Sequence, residues 1–136
     1  MTEPLSLATW NIKTLLQNLA VLDYSPVALG NIITLTMKEY GDLPVVLSLG
    51  DKQITAEVVL CPVSQVKDVA FADDAFMRLQ KKMPLSSIAK TTISNEAHYV
   101  CFGALAATSL LENIVFEIVA LAANALDLAE LIETEL

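Results

Sequence analysis

The chain has 136 residues, 54% of them hydrophobic and 18% charged, with 16 acids against 8 bases and a formal net charge of −8. This length predicts one domain over residues 1–136, and the apolar share exceeds the roughly 45–50% usual for soluble domains, so a surplus must be buried in a core or an interface. A pI near 4.4 sets the chain against phosphate backbones and anionic lipid heads, which argues against nucleic-acid and peripheral membrane binding and makes basic partners its electrostatic match.

Ser6 reads as the cap of a first amphipathic helix, in which Leu7, Trp10, Ile12, Leu15, Leu16 and Leu19 recur at roughly helical spacing up to about Leu22. "DYSPVALGN" breaks it at Pro26 and Gly30. From Asn31 the period falls to two: Ile33, Leu35 and Met37 alternate with Thr34, Thr36 and Lys38, which predicts a strand. Leu43 to Leu49 forms a second, with Pro44 suited to its start or to an edge. "LGDK" predicts a hairpin with Gly50 and Asp51 as its central pair. In a third strand Ile54, Ala56, Val58 and Leu60 point one way, and Gln53, Thr55 and Glu57 point to a wet face.

Pro62 stops that strand, and Asp73 and Asp74 read as the opening of a short helix whose far end carries Arg78, Lys81 and Lys82, matching the helix dipole. Pro84 ends it. Residues 87–94 and 97–104 give two more strands, separated by "SNEA". The second is apolar on both faces through Tyr99, Val100, Cys101 and Phe102, so it is expected to be central and covered by a helix.

Tyr99 to Leu128 is greasy enough to suggest a membrane span. Glu112, Glu117 and Asp127 break it into stretches shorter than the about 20 apolar residues that a crossing needs, so it reads instead as a strand entering a long helix. Ser109 and Glu112 form an S-x-x-E capping box at the helix start. Beyond it Leu111, Ile114, Ile118, Leu121, Ala125 and Ile132 lie on an apolar face wider than the about 100° stripe of a surface helix, and Phe116 and Leu131 stand on the polar side. Residues 91–136 carry seven acids and no Lys or Arg, and Glu130, Glu133 and Glu135 crowd the end where the dipole disfavours them.

No constellation points to a reaction. Cys61 and Cys101 lack CxxC spacing and companion histidines, so they read as buried reduced thiols rather than a zinc site. His98, the one histidine, has no acid or nucleophile beside it. Ser86 and Ser87 lack a glycine elbow, and the glycines at 30, 41, 50 and 103 stand singly, so neither a nucleophilic serine nor a phosphate loop is expected. Arg78, Lys81, Lys82 and Lys90 read as a solvated basic patch near a sheet edge, whose other role would be to meet an acidic helix across a dimer. The start MTEPLSLATWN has Glu3 and no basic segment before its apolar residues, unlike a secretory leader, and this predicts a cytoplasmic protein.

The order of elements resembles the fold of type III secretion chaperones, small acidic cytoplasmic dimers. More specifically, "KKMPLSSIA" (81–89) and "FGALAATSLLENIVFEIVALAANALDL" (102–128) resemble the bacterial YjfI-like family of unknown function. That family typically has "PLS" after the short helix and "FGALS" before an acidic helix rich in "EIxxLAxN". Here Ala106 stands where the pattern has serine, and the helix is more apolar. The resemblance implies no catalytic residues, cofactor or metal; family members are often encoded near coiled-coil proteins of membrane stress, which implies a stress-linked adaptor and makes a basic or coiled-coil protein its expected partner.

The expected architecture is therefore α+β: helix, three-stranded antiparallel meander, short helix, two strands, and a long C-terminal helix packed on the sheet. The expected function is non-enzymatic protein binding by a homodimer, with Leu111, Phe116, Ile118, Leu121 and Leu131 packing or interface residues and Glu130 and Glu133 rim charges. The competing expectation is a small-molecule sensor or enzyme with a helix/sheet pocket near Tyr99, Cys101 and Ser86.

Overall fold

The computed structural model describes residues 8–136, which build one six-stranded antiparallel sheet and three α-helices. In chain order these are α1 (Ile12–Ala20), β1 (Val27–Leu29), β2 (Ile32–Met37), β3 (Leu43–Leu49), β4 (Gln53–Pro62), α2 (Val69–Leu79), β5 (Ser87–Ile93), β6 (Glu96–Ala106) and α3 (Leu111–Glu135). Across the sheet the strands run β1-β2-β3-β4-β6-β5. The α+β architecture with a long C-terminal helix on the sheet is as expected, with one strand more.

The extra strand is β1, inside the segment read as a break. Three residues are too few to show a period, and Gly30, at φ 62, turns the chain back so that Leu29 meets Ile32. Ser6 lies outside the described residues. Asn11 caps α1 instead, accepting from the Thr14 amide at 2.9 Å, and the helix ends at Ala20. Trp10 precedes this helix, and its indole donates to the Ser109 carbonyl at 2.7 Å. In the β3–β4 hairpin Gly50 pairs with Gln53, so Asp51 and Lys52 are the central pair, one residue beyond expectation.

Asp73 and Asp74 do not open α2. Asp68 caps it, accepting from the Phe71 amide at 3.1 Å, which leaves Asp73 and Asp74 in the helix body. The helix ends at Leu79, and a 3₁₀ turn over Gln80–Lys82 separates it from Pro84. The Ser109 box also fails to form: Leu110 occupies the cap position with no side-chain hydrogen bond, because the helix starts one residue later than the box requires. Ser94 and Asn95, at φ 51 and 67, make the tight turn between β5 and β6 that matches strand twist.

All three helices bury their apolar sides on one face of the sheet. Leu15 and Leu19 of α1, Ala72 and Phe76 of α2, and Ile114, Ile118, Leu121 and Leu128 of α3 share a core with Ile33, Leu35, Val45, Leu47, Ile54, Val58 and Cys101. A β-bulge between Val59 and Cys61 adds Leu60 to β4 and returns Cys61 to the core side opposite Tyr99. β6 is central and buried at Tyr99, Val100 and Cys101, as its two-sided apolar pattern requires. Among the described residues, no helix lies on the opposite face of the sheet.

Candidate protein-binding site

A groove runs between α2 and β5, one edge of the sheet. At its base Tyr99 of β6 is buried, and a buried phenol needs a partner for its hydroxyl. α2 supplies one: Tyr99 Oη donates to Asp73 Oδ1 at 2.6 Å, and the Phe76 ring meets the tyrosine edge-to-face at a centroid distance of 5.0 Å. Lys90 of β5 closes the cluster, with Nζ 2.6 Å from Asp73 Oδ2 and 5.6 Å from the Tyr99 ring centroid. Hydrogen bonds from Lys90 and then Tyr99 hold the Asp73 carboxyl below its usual range. Burial, followed by the Asp73 carboxylate, pushes the Tyr99 phenol far up, so at neutral pH it is a hydrogen-bond donor and not an acid.

Above this cluster lies a cavity of about 330 Å³ walled by Phe76, Met77, Gln80 and Ile88. Gln80 Oε1 accepts the Ile88 amide at 3.2 Å, which shows that this amide points away from β6. By antiparallel alternation the amides of Lys90 and Thr92 face the same way, and neither has a partner among the described residues. The edge is thus capped at one end and open at the other.

Below the groove a polar seam joins α3 to the start of β5. Asn124 Nδ2 donates to the Pro84 carbonyl and to Ser86 Oγ, each at 2.9 Å. These bonds clamp Leu85, whose φ of 66 is a left-handed conformation that a bulky residue rarely adopts, and leave its side chain half in solvent. Burial pushes the Cys101 thiol up to about 11, against a smaller opposing hydrogen bond with Ser86. Glu117 packs its carboxylate against Gly103, where a Cβ would collide with it, and burial raises its pKa. The seam gathers Ser86, Gly103, Glu117 and Asn124, all four within the segments that carry the family resemblance.

Of the residues expected to pack or to form an interface, Ile118 and Leu121 pack: both are 0% exposed within the chain, on the side of α3 that faces the sheet. Leu111 and Leu131 are half-buried and packed against the core. Phe116 is 67% exposed, and Glu130 and Glu133 are also exposed. Tyr99, Cys101 and Ser86 do not share a cavity, since Tyr99 lines the groove while Ser86 and Cys101 belong to the seam. His98 points to the uncovered face, its Nδ1 2.9 Å from the Glu96 carbonyl. Among the described residues no group of three or more His, Cys, Asp or Glu is arranged to hold a metal, and no helix is long and apolar enough to cross a membrane.

The fold is chaperone-like. It superposes on the Escherichia coli protein YbjN with a TM-score of 0.71 at 16% identity, over 93% of this chain and 94% of YbjN. The ExsC–ExsE complex gives a chain with a TM-score of 0.64 at 14% identity, over 88% of this chain and 91% of that one. The chain itself belongs to the DUF2170 family, described as uncharacterized proteins conserved in bacteria, which it matches over residues 9–136. The uncharacterized protein YjfI of Escherichia coli K12 is 37% identical over 128 residues, 92% of this chain and 96% of YjfI, and the O157:H7 protein matches equally.

Proposed function

We propose that this protein is a non-enzymatic protein-binding module, a dimeric adaptor or chaperone-like protein of the cytoplasm that receives an extended segment of its partner by strand addition at β5. The observation that carries this reading is the open edge of β5 beside the apolar cavity. A partner strand would pair with the amides of Lys90 and Thr92 and place alternate side chains toward Phe76, Met77 and Ile88. Main-chain pairing gives affinity to many sequences, and the cavity selects an apolar side chain at one register. ExsC, a fold neighbour found in complex with ExsE, supports protein binding by this architecture.

The dimer seam falls on the outer side of α3, where Phe116, Ala123 and Leu126 are exposed at spacings of seven and three residues and Glu130 follows. Membrane stress is the setting that the family resemblance suggests.

Size-exclusion chromatography with light scattering at tens of micromolar, with mass spectrometry of what co-elutes from the native host, tests the reading. The expected species is a dimer that carries a protein partner, made monomeric by Phe116→Ser and stripped of its partner by Thr92→Pro. A monomer with no bound protein contradicts it.

A further inference from the structure

The uncovered face of the sheet is unlike a solvated one. Its strand residues include Glu57 and Glu96 and, among the described residues, no Lys or Arg. Glu96 sits at a strand end and accepts from Ser64 Oγ at 3.1 Å. Glu57 is central: the ladder through it reads Thr34, Val46, Glu57, Phe102 and Ser87 across five strands. It is half-buried between Val46 and Phe102, and no described cation pairs with it.

Beside this ladder Val59 pairs with Val100, which pairs with Ala89. Val100 is only 3% exposed although no described helix lies over it, whereas Val59 is 47% exposed. The middle of the face is therefore largely apolar through Val46, Val59, Val100 and Phe102, with one acid that no described cation pairs. Depletion of charge around an apolar centre is the composition of an interface core.

We infer that this face binds an amphipathic helix of a partner protein that carries a Lys or Arg among its apolar positions, with the cation on Glu57. Charge chooses the occupant. A second copy would set Glu57 against a face whose strand residues carry Glu57, Glu96 and His98 but no Lys or Arg, and residues 1–7 offer Glu3 and no Lys or Arg. A helix supplies the layer that α3 supplies on the other face, and its cation satisfies the carboxylate as water leaves. The inference rests on the protein-binding reading but uses a surface separate from the β5 groove.

Its test is a photo-crosslinking residue at Val59, introduced into the full chain in its native host, with the crosslinked segment identified by mass spectrometry. The expected adduct is an apolar segment of another protein with a Lys or Arg within one helical turn of the crosslink. Its yield should fall at least tenfold in Glu57→Lys and persist in Glu57→Asp. An adduct within this chain or its second copy, an adduct to an acidic segment, no adduct, or a yield unchanged by Glu57→Lys overturns the inference. If the β5-edge partner still co-purifies in those cases, the protein-binding reading stands and only the assignment of this face falls.

Discussion

The two faces of the sheet start from the same alternating pattern and end in different states. On the covered face Ile33, Leu35, Val45, Leu47 and Cys101 are all 0% exposed, roofed by α1, α2 and α3. On the other face Val100 alone approaches that burial, shielded by its strand neighbours. Alternation decides which residues lie together, and the supply of helices decides which set becomes core. Three helices cover one face of six strands, and no described helix covers the second apolar set.

The comparison breaks first at the roof. Leu121→Ala removes a fully buried side chain from α3 and should lower stability by about 2–5 kcal/mol in urea denaturation. Val59→Ser on the open face should stay within about 0.5 kcal/mol. Equal losses would mean that the faces are not different layers. Gly103→Ala comes next: its methyl would meet the Glu117 carboxylate and lie 3.1 Å from the Leu85 carbonyl, at an expected cost of about 1–3 kcal/mol. A neutral result would show that α3 can shift away from β6.

Glu117 sharpens the comparison through pH. Because burial raises its pKa in the fold, the stability tied to its protonated form is present below the unfolded pKa and lost as pH rises through the folded one. Glu117→Gln cannot ionise, so its melting temperature should exceed wild type at about pH 7, and the gain should vanish near pH 4. A gain that is independent of pH would mean that the carboxylate is not desolvated. The smallest expected change in stability is at the sheet edge. Thr92→Pro removes an outward amide without touching the β6 pairing and should leave the melting curve nearly unchanged while abolishing partner recovery.

How much of this was legible depended on element length. β2 showed a clean period of two, and β3 runs from Leu43 to Leu49 as its short apolar run was read. β1 has three residues and offered no period, so Pro26 and Gly30 suggested only a loop. At α2 the doubled acids Asp73 and Asp74 match the dipole and read as the helix start, and Asp68, the actual cap, stands upstream without such a signal. On α3 the apolar face was visible, but its division was not. Ile118 and Leu121 became core and Phe116 stayed exposed because the division depends on where β4 and β6 lie.

The site was less legible than the fold. Tyr99 and Asp73 are 26 residues apart, and only the packing of α2 across β6 brings them to 2.6 Å. The edge position of β5 follows from strand order, which pairwise patterns do not contain. Leu85 has nothing in its residue type to announce a φ of 66. The one available signal was a tyrosine on a strand apolar on both sides, whose hydroxyl had to be satisfied by another element.

The most direct measurement of strand addition at β5 is amide hydrogen exchange of Lys90 and Thr92 in the purified protein and in its partner complex. The account predicts fast exchange in the free protein and strong protection in the complex, with Ile88, already held by Gln80, changing least. Equal rates at Lys90 and Thr92 in the two states would contradict it.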